Sequence, residues 1–378
     1  MIVVFALVLA LLTFWLHRRF TVATALPRPW SRIVDAALGL FYVLAVLGMA
    51  TGRILDPAWF RIPAWIGLTW LAVVLYLVLG LLIVGIGSLL WRLVSRLTTR
   101  GRSTRITAVR TATAVVVVAA VATTGYGVIE ANNPKVSHTA VTIDALPAQF
   151  SGVRVAVISD LHIGPARGRG FTEKVVDLVN SEQPDLIAIA GDVTDGTVAE
   201  VGPDIAPLAQ LSAPLGVFGV TGNHEFYSDD DGGAWLDEWE RLGIATLRNQ
   251  HTRVARDGAE ITVAGIHDYT APSPYEPDLA AALQGSPSDG FTLLLAHEPR
   301  QAEQASELGV DLQVSGHTHG GQIWPIRYLV PLQQPSVAGL DRIGNTRIYT
   351  TRGAGAWGPP VRVGAPPEIT ILELRSGS

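Results

Sequence analysis

The sequence predicts an α/β domain, built from two packed β-sheets flanked by helices, that follows an all-α region of four transmembrane helices. The first 130 residues are mostly apolar and carry arginine as nearly their only charged residue, whereas the rest has the mixed composition of a globular domain. In this second part, short apolar runs alternate with helical patterns and polar clusters, as βαβ units do. We therefore expect a membrane region at 1–130 and a globular domain at 131–378.

Four apolar runs in the first region are candidates for membrane-spanning helices. A helix needs about 20 apolar residues to cross the hydrocarbon core of a bilayer, and about 17 is near the lower limit. The first run is short, but positive charges follow it instead of preceding it, which favours an uncleaved anchor over a signal peptide. The runs cover about 1–16, 33–50, 66–90 and 111–129.

The distribution of arginine between these runs predicts the orientation of the chain. The segments after the first and third runs are rich in arginine, whereas the segment after the second run holds only Arg53 and Arg61. After the fourth run, Lys135 is the one basic residue before Arg154. Loops rich in Lys and Arg remain in the cytoplasm. Four crossings of the cell membrane then deliver 131–378 to the extracytoplasmic face, whereas a run that failed to span would leave that domain inside.

The most informative stretch of the second region is Val155–Gly164, where an apolar run leads into Asp160 and His162. The run is typical of a buried strand. Side chains two residues apart on an extended chain lie on the same side, so the carboxylate and the imidazole face one way. Open α/β sheets carry their chemistry at the carboxyl ends of strands. This pair is therefore a candidate for a functional site.

Four further apolar runs end in polar clusters of the same kind. The spacing from Asp160 to Asp192, and from Asp192 to Asn223, is about one βαβ unit, which predicts parallel strands whose carboxyl ends lie side by side. Carboxylate, amide and imidazole groups suit a divalent ion such as Mn, Fe or Zn. The set exceeds what one tetrahedral ion needs, and two ions sharing a carboxylate would use it. The five clusters are Asp160/His162, Asp192/Asp195, Asn223/His224, His297 and His317/His319.

Taken in order, these clusters resemble the motifs of the calcineurin-like metallophosphoesterases, and the tail of the domain resembles the membrane-associated bacterial branch of that family. The similarity covers roughly 138–375, and the ordered set is more specific than any single motif. It implies a sandwich of two mixed β-sheets. The motifs are Asp160-Leu-His162, Gly191-Asp192-x-x-Asp195, Gly222-Asn223-His224-Glu225, His297, Gly316-His317-x-His319, and in the tail Thr351-Arg352-Gly353-Ala354-Gly355 and Pro367-Glu368-Ile369.

The resemblance also implies roles for individual residues. A hydroxide bridging two divalent metals would attack phosphorus, and His224 would act as general acid toward the leaving group. Asp195 or Glu225 could orient His224, and we favour Asp195. Arg352 could contact substrate phosphate or make structural hydrogen bonds. The implied metal ligands are Asp160, His162 and His319 for the first ion, Asn223, His297 and His317 for the second, and Asp192 for both.

These implications predict a membrane-anchored, metal-dependent phosphoesterase, with a phosphodiester favoured as substrate. The alternatives are a membrane sensor or scaffold that binds a phosphorylated ligand without turnover, and a transporter that the domain regulates. A proton donor such as His224 argues against a pure binder, and the near absence of charge in the spans argues against a polar transport pathway. The net charge of −5 gives no indication of nucleic acid binding.

An apolar segment after the last implied ligands has two interpretations. Its side chains could pack in the core of the domain, or they could contact lipid, because the domain is expected to be held at a bilayer. The second interpretation would make a lipid-linked phosphate ester a candidate substrate. The apolar residues are Trp324, Ile326, Tyr328, Leu329 and Val330.

Overall fold

The computed structural model describes residues 2–95, 102–228 and 232–377. Within these ranges, four long helices precede two β-sheets and their flanking helices. The structure therefore confirms the predicted fold class, an α/β arrangement of two mixed sheets after an all-α region. The middle of the arginine-rich segment after the third apolar run, residues 96–101, lies outside the described ranges.

The four helices of the first region are long and apolar enough to cross a membrane. Each extends beyond the apolar run that predicted it, because polar and charged residues at its ends continue the helical turns past the apolar core. The third helix has 39 residues, which corresponds to about 58 Å and exceeds the ~30 Å hydrocarbon core. The helices are α1 (Ile2–His17, continued by a π-helical turn over Arg18–Val22), α2 (Arg28–Ala50), α3 (Pro57–Ser95) and α4 (Arg102–Ala131).

Twelve strands and five further helices form the described part of the second region. The strands are β1 (Lys135–Ile143), β2 (Arg154–Ile158), β3 (Leu186–Ala190), β4 (Val217–Val220), β5 (Ala245–Thr246), β6 (Gln250–Arg256), β7 (Ala259–Gly265), β8 (Thr292–Leu295), β9 (Leu312–Ser315), β10 (Gly339–Ile343), β11 (Thr346–Thr350) and β12 (Glu368–Ser376). The helices are α5 (Arg169–Ser181), α6 (Val198–Ile205), α7 (Gly232–Arg241), α8 (Leu279–Leu283) and α9 (Ala302–Glu307).

The strands form two six-stranded sheets, in the orders β1-β12-β2-β3-β4-β5 and β10-β11-β9-β8-β7-β6. In the first sheet, β2 through β5 are parallel, and in the second, β7, β8 and β9 are parallel. Ile158 at the end of β2 pairs with Ile189, and Ala190 at the end of β3 pairs with Val220. This register brings the residues that follow the strands to one edge of each sheet.

The packing of strand β2 explains why polar residues do not alternate with apolar ones in its sequence. Val155 and Val157 face the core between the two sheets, whereas Ala156 and Ile158 pack in the layer between the first sheet and its outer helices. A strand that is covered on both faces needs apolar residues at successive positions. The continuous run in the sequence is thus the direct signature of a central strand.

The membrane helices contact the second region directly. Arg61 of α3 donates hydrogen bonds to Asp204 over 2.5 Å and to the carbonyl oxygen of Gly164 over 3.2 Å. In α4, the carbonyl oxygen of Gly127 accepts a hydrogen bond of 2.9 Å from the backbone N–H of Arg362. The two regions therefore meet at a packed, hydrogen-bonded interface.

This junction can be tested at one glycine. A Cβ at Gly127 would lie 2.5 Å from Val361 Cγ1 and 3.0 Å from the carbonyl oxygen of Arg362. We expect Gly127→Ala to lower the thermal unfolding midpoint of the full chain in amphipol, because overpacking costs about 1–3 kcal/mol. Gly125→Ala is the matched control: a Cβ there meets nothing within 4 Å, and alanine favours a helix by about 1 kcal/mol over glycine. Equal midpoints for the two variants would contradict the interface.

Candidate metal and active site

The predicted site residues follow five strands and meet at one edge of the two sheets. In the first sheet, Asp160 follows β2, Asp192 follows β3 and Asn223 follows β4; in the second sheet, His297 follows β8 and His317 follows β9. Since β2, β3 and β4 are parallel, as are β8 and β9, their carboxyl ends lie together. The structure thus brings the predicted ligands into one cluster.

Asp160, His162 and His319 form a group that could hold one metal ion. All three are almost completely buried, and their donor atoms lie within 4.8 Å of one another. The Nε2 atoms of His162 and His319 are 3.1 Å apart, and His319 Nε2 lies 3.3 Å from Asp160 Oδ1. Burial and the nearby charge of Arg362 lower the pKa of His319 well below its usual value. Its imidazole is therefore neutral, the form in which histidine binds a metal.

Asp192, His297 and His317 form a second group with the same closeness of donor atoms. Asn223 joins it, because its Oδ1 lies 3.1 Å from His317 Nδ1. The amide nitrogen of Asn223 donates to the Tyr227 hydroxyl over 2.9 Å, which turns its oxygen toward the cluster. Burial lowers the pKa of His317 to about 3, so this imidazole is also neutral.

Asp192 belongs to the second group and also approaches the first. Its Oδ2 is 3.1 Å from His297 Nε2 on one side and 3.7 Å from His162 Nε2 on the other. The other oxygen, Oδ1, accepts a hydrogen bond of 2.9 Å from the backbone N–H of His224. This is the location that a carboxylate shared by two ions requires.

The environment of His297 fits a cation at this point. Its Nδ1 donates to the carbonyl oxygen of Ala190 over 2.6 Å, which leaves Nε2 buried beside Asp192 without a hydrogen-bond partner. Burial alone would lower the pKa of His297, but the charge of Asp192 outweighs this effect and raises the pKa well above its usual value. The cluster thus favours positive charge here. Nitrogen and oxygen donors without sulfur suit Mn, Fe or Zn, so the residues fit divalent ions.

His224 forms a third close group with His162 and Asp192, and its ring is held by Asp195. His224 Nδ1 donates to Asp195 Oδ1 over 2.5 Å, and the same oxygen lies 3.1 Å from His162 Nδ1. One carboxylate therefore orients two imidazoles. Burial would lower the pKa of His224, but the charges of Asp195 and Asp192 outweigh it and raise the pKa to about 9. This favours the imidazolium form of His224, which can donate a proton.

Glu225 has a different task from the one considered for it in the sequence. Its carboxylate accepts four backbone hydrogen bonds of 2.7 to 3.1 Å. The donors lie in the loops after β3 and β4, so a fully buried side chain ties these two loops together. The sequence placed Glu225 in the right motif but did not reveal this function. The donating residues are Asp192, Val193, Thr194 and Gly222.

The backbone around the cluster is unusually strained. Five of the predicted site residues have φ between +47° and +68°, in the left-handed region that non-glycine residues seldom adopt. Close loop contact also requires glycine: a Cβ at Gly222 would lie 2.2 Å from Asp192 Oδ1, and one at Gly316 would lie 2.4 Å from Asp160 Oδ2. Such strain concentrates at functional sites. The five residues are Asp160, His162, Asp192, His317 and His319.

Two arginines near the cluster are structural. Arg352 forms an ion pair with Glu368 and donates to the carbonyl oxygen of Pro366 over 2.9 Å, which supports the structural interpretation of this residue. Arg362 is fully buried and donates to the carbonyl oxygens of His319 and Gly355 over 2.8 and 2.7 Å. It therefore fixes the backbone of a candidate ligand. Arg362 lies outside the recognised motifs, so the sequence carried no signal for this role.

The membrane region also reaches the site. Gly52, in the turn between α2 and α3, packs so closely that a Cβ there would lie 2.5 Å from the carbonyl oxygen of Asp195. A cavity beside His224 is lined in part by this turn, including Arg53, and by Trp357. The guanidinium of Arg53 lies 5.7 Å from the ring centre of Tyr227. The sequence did not indicate that the turn after the second span would border the cluster.

Comparison with known proteins agrees with this geometry. Residues 153–321 match the family described as calcineurin-like phosphoesterase. A zebrafish (Danio rerio) protein named transmembrane protein with metallophosphoesterase domain is 36% identical over 261 residues, covering 66% of this chain and 60% of that protein. Its bovine (Bos taurus) namesake is 35% identical over 286 residues, covering 72% and 64%. The uncharacterized metallophosphoesterase YkuE of Bacillus subtilis is 31% identical over 267 residues, covering 67% and 90%.

The chain thus spans 60% and 64% of the length of the two vertebrate relatives, but nine tenths of the bacterial one. The vertebrate names share the combination of transmembrane region and metallophosphoesterase domain. The family resemblance noted in the sequence is confirmed, including its extension to bacterial and membrane proteins. Sequence motifs, two mixed sheets and these relatives agree, and the chain belongs to the calcineurin-like phosphoesterase family.

Proposed function

We propose that this protein is a membrane-anchored phosphodiesterase that uses two divalent metals and works on the extracytoplasmic face of the cell membrane. The observation that carries the proposal is the position of Asp192 between His162 and His297, with the Asp195–His224 pair close by. The potential metal ligands alone would also suit a site that binds a phosphorylated ligand without hydrolysing it. A cationic histidine beside the ligands supplies what turnover needs in addition.

The metals would be held as the family resemblance implies. The first group, Asp160 with His162 and His319, and the second group, Asn223 with His297 and His317, would share Asp192. Bound ions would supply Lewis-acid stabilisation of the attacking and leaving oxygens of an in-line displacement at phosphorus. The remaining catalytic work falls to side chains of the chain itself.

His224 would protonate the leaving group. Its Nδ1 is engaged by Asp195, so Nε2 is the nitrogen left to face substrate. In the hydrolysis, the oxygen of water forms a bond to phosphorus and the bond from phosphorus to the ester oxygen breaks. The proton of Nε2 passes to that departing oxygen, and a proton from water later restores the imidazolium. Asp195 keeps the ring oriented and favours its charged form throughout.

A diester is favoured because two cavities meet the cluster. One lies beside His162 and His224 and the other beside His317 and His319, and Trp357 lines both. A phosphate at the cluster could direct one substituent into each cavity, which describes a phosphodiester. A monoester would leave one of the two unused.

The acid role of His224 predicts a dependence on the leaving group. For the full chain with Mn²⁺, we expect His224→Ala to reduce kcat for methyl phenyl phosphate by about 10²–10⁴-fold, the usual contribution of a general acid. The kcat for methyl p-nitrophenyl phosphate should fall much less, because p-nitrophenolate departs without protonation. His138→Ala changes an exposed histidine outside the cluster and serves as control. Equal losses for both esters would argue against proton donation by His224.

The shared position of Asp192 predicts the metal content. Wild-type protein loaded with Mn²⁺ and desalted should retain about two ions per chain, measured by elemental mass spectrometry, and Asp192→Asn should retain at most one. Asp311→Asn is the control, because Asp311 is a partly buried carboxyl that caps the N–H of Thr292 away from the cluster. His297→Ala provides a second test in the cluster should Asp192→Asn not fold. Full metal content in both cluster variants would contradict a dinuclear site.

Metal binding without hydrolysis of any diester would instead favour the sensor or scaffold alternative. That outcome would leave the ligand groups intact and remove the catalytic role of His224. The search would then turn to phosphorylated ligands, with binding measured directly by calorimetry.

The proposed orientation can be tested because the chain contains no cysteine. A single cysteine at Ser288, in the second region, should react with a membrane-impermeant maleimide on intact cells. A cysteine at the exposed Ala25, in the turn between α1 and α2, should react only after lysis. Labelling in the reverse order would place the catalytic domain in the cytoplasm.

A further inference from the structure

We propose that the substrate is a lipid phosphodiester whose apolar chain lies in a groove between α3 and the segment 323–334. The inference rests on the proposed function, since the groove begins at two of the proposed metal ligands. It narrows the substrate class from phosphodiesters in general to those that carry a long hydrocarbon chain.

The groove is a cavity of about 420 Å³ beside His317 and His319. One wall is formed by Leu71 and Leu75 of α3, and the opposite wall by Ile326 and Val330. No Asp, Glu, Lys or Arg from the described residues lines it. Its polar lining includes Thr318, Gln322 and Gln334, whose side chains already make hydrogen bonds within the protein. A sugar or nucleoside would therefore find few partners for its hydroxyl and amide groups here, which is costly. A hydrocarbon chain needs no such partners.

The groove is not simply an imperfection of the junction between the two regions. The junction is sealed beside it, where Ala72 packs in a buried cluster with Ile323 and Val361. Packed protein interiors hold few voids larger than a water molecule. An apolar space of this size next to a cluster of potential metal ligands is therefore better explained as a binding site.

The groove meets α3 at a level of the membrane where lipid is available. An α-helix rises about 1.5 Å per residue, which puts Leu75 about 25 Å from Arg92, the basic residue near the other end of the span. The hydrocarbon core of a bilayer is about 30 Å thick. With Arg92 at the cytoplasmic boundary, Leu75 lies near the outer boundary. A lipid of the outer leaflet could then slide its chain into the groove sideways.

The apolar segment after the last ligands continues this surface outward. Trp324, Tyr328 and Leu329 are 50%, 68% and 60% exposed, so core packing does not account for them. Tryptophan and tyrosine favour the interface between hydrocarbon and water. The segment thus extends the groove with side chains suited to the headgroup level of the membrane.

The preference for a long alkyl chain can be measured with two chromogenic diesters that differ only in the length of that alkyl group. We would compare methyl p-nitrophenyl phosphate with dodecyl p-nitrophenyl phosphate, using the full chain with Mn²⁺ in amphipol, below the critical micelle concentration of the ester. We expect kcat/KM to be at least tenfold higher for the dodecyl ester. A ratio within twofold of one, with both esters hydrolysed, would overturn the lipid inference and leave the proposed function standing. Hydrolysis of neither ester would overturn both.

A matched pair of variants tests where the hydrocarbon chain of the substrate lies. Val330 lines the groove and Leu332, two residues later in the same 3₁₀ turn, does not. Val330→Trp should fill the groove and reduce the dodecyl-to-methyl ratio to about one, whereas Leu332→Trp should keep the wild-type ratio. Because each ratio is taken within one variant, a general loss of folded protein cancels. An unchanged ratio in Val330→Trp would overturn the assignment of the groove.

A second readout does not depend on turnover. Dodecylphosphonate with a diazirine at the end of its chain should, on illumination, label α3 near Leu71–Leu75 or the segment around Ile326, as located by mass spectrometry of peptides. Val330→Trp should suppress this labelling and Leu332→Trp should not. Labelling confined to α1 or α2 would contradict the proposal.

Discussion

Acidic side chains are buried at one edge of the two sheets, and the rest of this structure depends on compensating their charge. Asp160, Asp192 and Glu225 are each at most 2% exposed. A buried carboxylate is tolerated only when hydrogen bonds or opposite charge compensate it. Glu225 is compensated by four backbone amides, whereas Asp160 and Asp192 each accept from one backbone amide and otherwise face histidines. This difference separates a carboxylate that supports the fold from two that remain available to ions.

That constraint explains the local backbone. To surround the carboxylates, the loops after β2, β3 and β9 turn sharply where each strand ends, and several of their residues adopt left-handed φ. Gly222 and Gly316 let the neighbouring loops pass within contact distance of Asp192 and Asp160. The paired sheets supply the rigidity that holds this strain, because their central strands, such as β2 and β3, are buried on both faces.

Much of this was visible in the sequence because its signals are local. A run such as Val155–Ser159 indicates a doubly covered strand on its own, and Asp160 with His162 at its end indicates a site. Strand β10 carries no such signal, because Asp341 and Arg342 are polar and exposed and interrupt any apolar run. The roles of Glu225 and Arg362 were also hidden, since both act through backbone groups distant in sequence, and spacing along the chain cannot reveal such contacts.

The turn at Gly52 has a consequence for biogenesis. Its φ is +79°, and it lies against the loop that holds Asp195, so one side of the cleft beside the cluster is made by the link between two membrane helices. The α/β domain comes later in the chain, so its sheets can form only after those helices have been synthesised. A complete cleft therefore requires the turn between α2 and α3 to lie against the folded second region. The cleft thus depends on the helical region as well as on the two sheets, so both regions must come together before it is complete.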